Sequence, residues 1–148
     1  MAETALRTYL QEELLSLAEA ESFAKIVWPP IKQVLFTKKR LCTWWRSTET
    51  IELAPWGRTE LTILHEVAHA IREASSIHEE VHGRVWAAVF CVLVYFYISP
   101  EAHHLLCLAY NAAGVQHLVM KAEWANVAFA MRRVLENESM PIAANKQL

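Results

Sequence analysis

Two histidines and a glutamate lie at the spacing that metal-assisted hydrolysis requires. Residues 65–69, HEVAH, form an H-E-x-x-H motif. Side chains four residues apart on a helix lie one turn above each other, so both imidazoles can face one ion. Zinc binds imidazole nitrogen and keeps an open position for water. The pattern therefore predicts Zn²⁺ as the cofactor, His65 and His69 as ligands, and Glu66 as the base that accepts a proton from the water.

The sequence around the motif supports a functional interpretation. The motif lies inside residues 61–71, LTILHEVAHAI, which are otherwise mostly apolar. Burying two histidines and a glutamate costs free energy unless these side chains have partners. The alternative interpretation is that both histidines belong to the core and that Glu66 is a surface residue.

A catalytic zinc site usually has three protein ligands, so the motif alone is incomplete. In an unbroken helix His82 would lie roughly 20 Å beyond His69. A third ligand from this region therefore requires a reversal of the chain near residues 74–77, where two serines permit one. The side chains that could then complete the site are Glu73, His78, Glu79, Glu80 and His82.

We expect His82 to be the third ligand. It is at helical spacing from Trp86 and Val89, in a row that should face the core. Glu79, three residues earlier, could accept a hydrogen bond from the His82 imidazole and orient the ring. His78 or a glutamate in place of His82 remains open at this point.

The first part of the chain predicts a helix followed by a small sheet. Apolar residues at helical spacing indicate a helix over residues 4–26, which Trp28-Pro29-Pro30 ends. Short segments rich in β-branched and aromatic residues predict strands at 31–37, 41–46 and 50–53. All three strands precede the motif helix.

The rest of the chain predicts helices. The motif helix begins near Arg58, and Ser99-Pro100-Glu101 has the cap and proline of a helix start. Gly114 suits the end of that helix. The later helices are predicted over 80–98, from Ser99 to about 111, and over 120–137, with a loose tail from Met140.

These elements predict a single α+β domain over residues 1–148. A small, about three-stranded sheet packs against four to five helices, with the motif on a central helix. The parts of this domain are the N-terminal helix and sheet (1–57), the metal-site helices (58–98) and the C-terminal helices (99–138).

Composition limits the class of protein. With 54% hydrophobic and 20% charged residues among 148, the chain has the composition of one folded domain. Three scattered cysteines and an N-terminus unlike a signal peptide predict a cytoplasmic protein that is not secreted. The apolar run at residues 85–98 is shorter than the roughly 20 residues that cross a bilayer, so it predicts a core helix and no membrane partner.

The motif and the residues after it resemble a known family. HEVAHA, followed by HGRVW at residues 82–86, is similar to the HE-x-x-H … HG-x-x-F/W pattern of small zincin-fold metallohydrolases of bacteria and their phages. SprT-like proteases are a more distant likeness. IELAPWGRTEL and SPEAHHLLCLAYNAAGV fit the same group, so the resemblance covers about residues 50–117. It implies zinc at His65, His69 and His82 with Glu66 as the base, although Arg84 stands where the pattern usually has proline.

Two further sets of residues are candidates for function. Tyr110 could donate a hydrogen bond to a developing oxyanion, although a core tyrosine is the alternative. Lys38, Lys39 and Arg46 lie near tryptophans, as in surfaces that bind single-stranded DNA. The net charge of −2 gives no global case for nucleic acid. A solvated hairpin with buried tryptophans is the alternative for this patch.

The sequence thus predicts a zinc-dependent hydrolase, and specifically a metallopeptidase with a protein or peptide substrate. We expect that substrate to lie as an extra strand on a sheet edge near residues 50–53. One alternative is a zinc hydrolase of a non-peptide amide or ester. Another is a non-catalytic binding or regulatory protein on a zincin scaffold.

Overall fold

The computed structural model of the chain describes residues 2–75 and 79–114. Within these residues the fold is α+β, with five α-helices, three strands and a single 3-10 turn at Pro55–Gly57. The helices are α1 (Ala2–Leu10), α2 (Leu17–Val27), α3 (Glu60–Ala74), α4 (Arg84–Tyr97) and α5 (Pro100–Ala112), and the strands are β1 (Gln33–Phe36), β2 (Thr43–Trp45) and β3 (Thr50–Leu53).

The N-terminal segment forms two helices, so the prediction of one helix over residues 4–26 is wrong. Gln11 has a φ of 49°, a left-handed conformation that ends α1. The Ser16 hydroxyl accepts a hydrogen bond from the Glu19 amide at 3.1 Å and caps α2. Leu6 is buried whereas Leu14 is 63% exposed. The apolar row therefore does not face one continuous core, although the predicted end before Trp28 is confirmed.

The three strands form one sheet in the order β1-β3-β2. β1 pairs with β3 in parallel, and β2 pairs with β3 antiparallel. The predicted strand positions and their place before the motif helix are confirmed. β3 is the central strand and is paired on both sides, so the expectation that residues 50–53 offer a free edge to a substrate is wrong. The sheet edges are β1 and β2.

Helix α3, which carries the motif, lies at the centre of the fold. The Thr59 hydroxyl accepts from the Thr62 amide at 3.3 Å and caps its start. Ten of its fifteen residues are buried. It packs against α2, α4 and the two strands β2 and β3. Because neighbours surround the helix, its side chains are held in fixed directions.

The predicted reversal after α3 is confirmed, because α3 ends at Ala74 and α4 packs back against it. Helix α4 begins at Arg84 rather than near residue 80, so His82 lies in a turn before the helix. The argument that placed His82 on a helical row with Trp86 is therefore wrong. The turn, and not the helix, determines where the His82 ring lies.

The last described elements agree with their sequence signals. Helix α4 is a core helix, with nine buried residues between Val85 and Val94. No helix within residues 2–75 and 79–114 is both long and apolar enough to cross a bilayer. The Ser99 hydroxyl accepts from the Ala102 amide at 3.0 Å, and Pro100 occupies the first turn of α5. The helix predicted over 120–137 and the tail from Met140 lie outside the described residues.

Candidate metal centre

Three imidazoles converge where α3 faces the turn before α4. His65, His69 and His82 each offer a ring nitrogen, and these atoms all lie within 4.8 Å of one another. The Nε2 atoms of His65 and His82 are 3.1 Å apart. The ring centroids of His69 and His82 are separated by 4.7 Å. These three side chains are close enough to hold a metal ion.

The orientation of His65 is set by a carboxylate from the N-terminal helix. Glu3 Oε1 lies 2.8 Å from His65 Nδ1, so an Nδ1–H donates to the carboxylate and the Nε2 lone pair faces His82. Burial works to raise the pKa of Glu3, but the hydrogen bond from His65 and the charge of Arg7 outweigh it, so this pKa lies below its ordinary value. No motif spacing points to Glu3, because it lies 62 residues before His65 in the sequence.

Burial keeps His69 in the form that binds metal. Its removal from water, and then the neighbouring His65 and His82, lower the pKa of His69 to about 3. Burial and the same neighbour His65 also lower the pKa of His82. At neutral pH His69 is therefore a neutral imidazole, which can donate a lone pair to a metal ion without first losing a proton.

The turn that carries His82 is held by Glu79 in a way that the sequence did not indicate. The Glu79 carboxylate accepts from the amides of Val85 at 3.0 Å and Trp86 at 2.9 Å, and so caps α4. These bonds place Glu79 against the backbone rather than against the His82 imidazole, where we expected it. A Cβ at Gly83 would overlap the Glu79 carboxylate, so a larger residue there would displace the carboxylate from this cap.

The residue after that glycine occupies a position that both arginine and proline can take. Arg84 is the first residue of α4. Proline is favoured at this position of a helix, because its missing N–H has no partner within the helix and its fixed φ suits the helix. An arginine and a proline are thus both compatible with the turn.

Trp86 forms one wall of the histidine cluster. Its ring stacks on His69 with centroids 5.3 Å apart, and its indole N–H donates to the His65 carbonyl oxygen at 3.3 Å. The ring is buried, and its centroid lies 4.6 Å from that of His82. The centroid of the His65 ring lies 4.7 Å from that of Trp86, so Trp86 touches all three imidazoles and limits the directions in which they can turn.

Glu66 lies next to the first histidine and is almost completely buried, at 5% exposure. Burial raises the pKa of Glu66 to about 7, although His65 and the backbone amide of Trp44 act in the opposite direction. The carboxyl group is not part of the histidine cluster that could hold an ion. A group with this pKa can both accept and release a proton near neutral pH.

A cavity of about 830 Å³ opens beside these side chains. His65, Glu66 and His82 reach it from the metal site. Tyr110 is also buried at this cavity, and burial raises the pKa of its hydroxyl, which stays protonated. The lining of the cavity also includes Leu41, Cys42 and Trp56.

The other candidates lie away from the histidine cluster or have other partners. Glu73 accepts from the indole of Trp44 at 2.8 Å, and Glu80 is exposed. His78 lies outside the described residues. The exposed side chains of the basic patch are at opposite ends of β2, with Lys38 and Lys39 before the strand and Arg46 after it.

No protein-family model matches this chain, and no curated protein or solved structure does so either.

Proposed function

We propose that the chain is a zinc-dependent metallopeptidase in which Glu66 is the general base. The observation that carries the proposal is the convergence of three imidazoles beside a buried carboxyl group at a cavity. Three histidines leave one position of a tetrahedral ion for water, as catalytic zinc sites do.

The donor set fits zinc. In a tetrahedral site with Zn–N distances near 2.0–2.1 Å, two nitrogen ligands lie about 3.4 Å apart. The His65 and His82 Nε2 atoms are 3.1 Å apart. His69 is neutral because its pKa is lowered to about 3, and His65 is fixed by Glu3 with its Nε2 lone pair available. When bound, zinc supplies a Lewis acid that lowers the pKa of water and polarises a carbonyl.

Glu66 has the position and proton affinity of a general base. Its carboxylate accepts a proton from the water that attacks the substrate carbonyl carbon, and then delivers that proton to the leaving nitrogen. Proton transfer of this kind accelerates reactions by about 10²–10⁴-fold. The Tyr110 hydroxyl, which stays protonated, is the proposed donor to the oxygen of the carbonyl under attack.

The substrate strand is assigned to the outer edge of β2, in place of the central strand β3. The outer edge of β1 faces α2, because the Val34 amide donates to Glu21 at 3.1 Å. Residues Leu41 and Cys42, immediately before β2, line the cavity, and the Trp44 amide lies near Glu66. An extended peptide along this edge would bring its backbone carbonyls to the metal site.

The proposal is tested with the full chain, a Glu66→Gln variant and a Glu60→Gln variant. Zinc content is measured by inductively coupled plasma mass spectrometry. Proteolysis is measured with casein and a peptide library as substrates. We expect about one zinc per chain in all three proteins. Cleavage should fall by at least about a hundredfold in Glu66→Gln, because the base is lost while the ligands remain.

Glu60→Gln is the matched control, because it removes a carboxylate from the first turn of the same helix. It should keep the activity of the parent chain. Equal cleavage by Glu66→Gln and the parent would contradict the role of Glu66. Zinc binding without cleavage of any peptide, amide or ester would instead favour a non-catalytic protein.

A further inference from the structure

The N-terminal helix reaches the metal centre through one side chain. Glu3 is in the first turn of α1, and its carboxylate is the group that contacts His65 Nδ1 at 2.8 Å. Its side chain is only 15% exposed. A partner of this kind fixes which ring nitrogen of a histidine carries the proton and how the ring is oriented.

We propose that Glu3 is the positioning residue of the metal centre. It holds the His65 imidazole with a proton on Nδ1, so that the Nε2 lone pair faces the ion. The inference rests on the metal-binding part of the proposed function and is independent of catalysis. It joins a helix at the start of the chain to a motif 62 residues later.

Packing, as well as the hydrogen bond, holds Glu3 in this place. Helix α1 packs against α5, and Leu6, one turn after Glu3, is buried at 1% exposure. Arg7 lies on the same side of α1, with its guanidinium 3.5 Å from Glu3 Oε2. The two carboxylate oxygens therefore have different partners, His65 for Oε1 and Arg7 for Oε2.

This arrangement couples α1 to the ion. If Glu3 favours the form of His65 that binds zinc, zinc binding must in turn favour the position of α1 that keeps this contact, because linkage is reciprocal. Zinc should therefore slow hydrogen exchange at the backbone amides of α1. The same addition should have little effect on β1, which does not contribute to the site.

The experiment compares the full chain with Glu3→Gln, Glu3→Leu and the control Glu13→Leu, which changes an exposed glutamate after α1. Zinc affinity is measured by competition with a chelator. Glu3→Leu should lower it about 10–100-fold, the usual cost of losing an outer partner of a ligand histidine. Glu3→Gln keeps an acceptor oxygen and should have a smaller effect, whereas Glu13→Leu should have none.

A second measurement reports on the imidazole without any metal. Nitrogen-15 NMR of the metal-free chain distinguishes a histidine protonated on Nδ1 from one protonated on Nε2. His65 should be protonated on Nδ1 in the parent chain and lose this preference in Glu3→Leu. A merely structural role for Glu3 would leave the preference unchanged.

The outcomes separate this inference from the proposed function. An Nδ1 proton that depends on Glu3, with the expected loss of zinc affinity, supports the positioning role even if no peptide is cleaved. Unchanged zinc affinity and an unchanged ring proton in Glu3→Leu would overturn it, whether or not the chain is a peptidase. If Glu3→Leu fails to fold, the zinc affinity of Glu3→Gln and the position of the His65 ring proton in the parent chain still test the inference. A His65 ring protonated on Nε2 in the parent chain would refute it.

Discussion

Helix α3 and the turn over residues 79–83 position the histidines of the candidate metal centre in different ways. In α3, His65 and His69 project from a helix with ten buried residues, packed by helices and sheet. In the turn, His82 is exposed and precedes the first residue of α4. The Glu79 carboxylate joins the turn to α4 by accepting from two amides of the helix, and the Gly83 amide donates to the Glu80 carbonyl oxygen at 2.9 Å.

The difference shows how one site can combine a rigid part with an adjustable one. Two imidazoles keep their positions as long as the core is folded, because the cost of moving a buried helix is the cost of disturbing the fold. The third imidazole contacts the Trp86 ring, but it is exposed and its turn is held by a few polar contacts, which can break locally. We therefore expect the loss of a ligand on α3 to affect both folding and metal binding, and changes in the turn to affect metal binding alone.

The largest effect on zinc affinity should come from removing one ligand from α3 or one from the turn. His69→Ala and His82→Ala should each lower zinc affinity by more than about a hundredfold, since losing a ligand costs more than losing its outer partner. The free energy of unfolding of the metal-free chain should differ between them. His69→Ala leaves a buried cavity and should destabilise by about 1–3 kcal/mol, whereas His82→Ala should stay within about 0.5 kcal/mol of the parent.

Urea unfolding of the metal-free proteins measures this difference. The comparison between helix and turn fails if His82→Ala destabilises the chain as much as His69→Ala does. The comparison is strengthened if His69→Ala lowers both the zinc affinity and the free energy of unfolding, whereas His82→Ala lowers the zinc affinity alone.

A smaller effect should follow from loosening the turn while keeping all three imidazoles. Glu79→Ala removes the acceptor for two backbone amides, and Gly83→Ala places a Cβ where the carboxylate lies. Each should lower zinc affinity by about tenfold, since His82 then has more positions to lose on binding. Hydrogen exchange at the Val85 and Trp86 amides should become faster in both variants.

Glu80→Ala is the control for the turn, because Glu80 is exposed and adjacent to Glu79 in the sequence. It should change neither the affinity nor the exchange rates. A Glu79→Ala variant with normal zinc affinity would show that the turn is held by other contacts than this cap.

The sequence predicted the rigid side of the site better than the adjustable side. The H-E-x-x-H spacing carries its own geometry, since a helix places residues 65 and 69 on one face whatever surrounds it. The need for a chain reversal after α3 followed from helix length alone, and the structure confirms it. The position of His82 was expected for a wrong reason, because a turn capped by Glu79 has no periodic signature.

Contacts between distant segments account for what the sequence did not predict. Glu3 meets His65 only because α1 packs on α5, and no local pattern records that packing. The break between α1 and α2 at Gln11 was missed for a related reason. The apolar spacing continues through the break, but its residues are buried against different neighbours or exposed. Sheet order likewise depends on pairing between strands, so the central position of β3 could not be derived from its composition.

The smallest expected effect tests whether the α3 part of the metal centre is sensitive to a change made far from it, where α2 contacts β1. Glu21 on α2 accepts from the Val34 amide of β1 at 3.1 Å and pairs with Lys25 at 3.0 Å. The hydrogen bond from Val34, and then the contact with Lys25, lower the pKa of Glu21 below its ordinary 4.5. The folded state thus favours the charged form of Glu21. The stabilisation that this charged carboxylate gives is complete above about pH 4.5 and is lost as the pH falls through the lowered pKa.

Glu21→Gln should therefore lower the melting temperature at pH 7 by about 2–4 °C or less, the shift that corresponds to roughly 1 kcal/mol. The difference from the parent should vanish in acid. Zinc affinity at pH 7 should be unchanged, because α3 stays buried among its neighbours; a loss of affinity would mean that the rigid part of the site is sensitive to the far edge of the sheet.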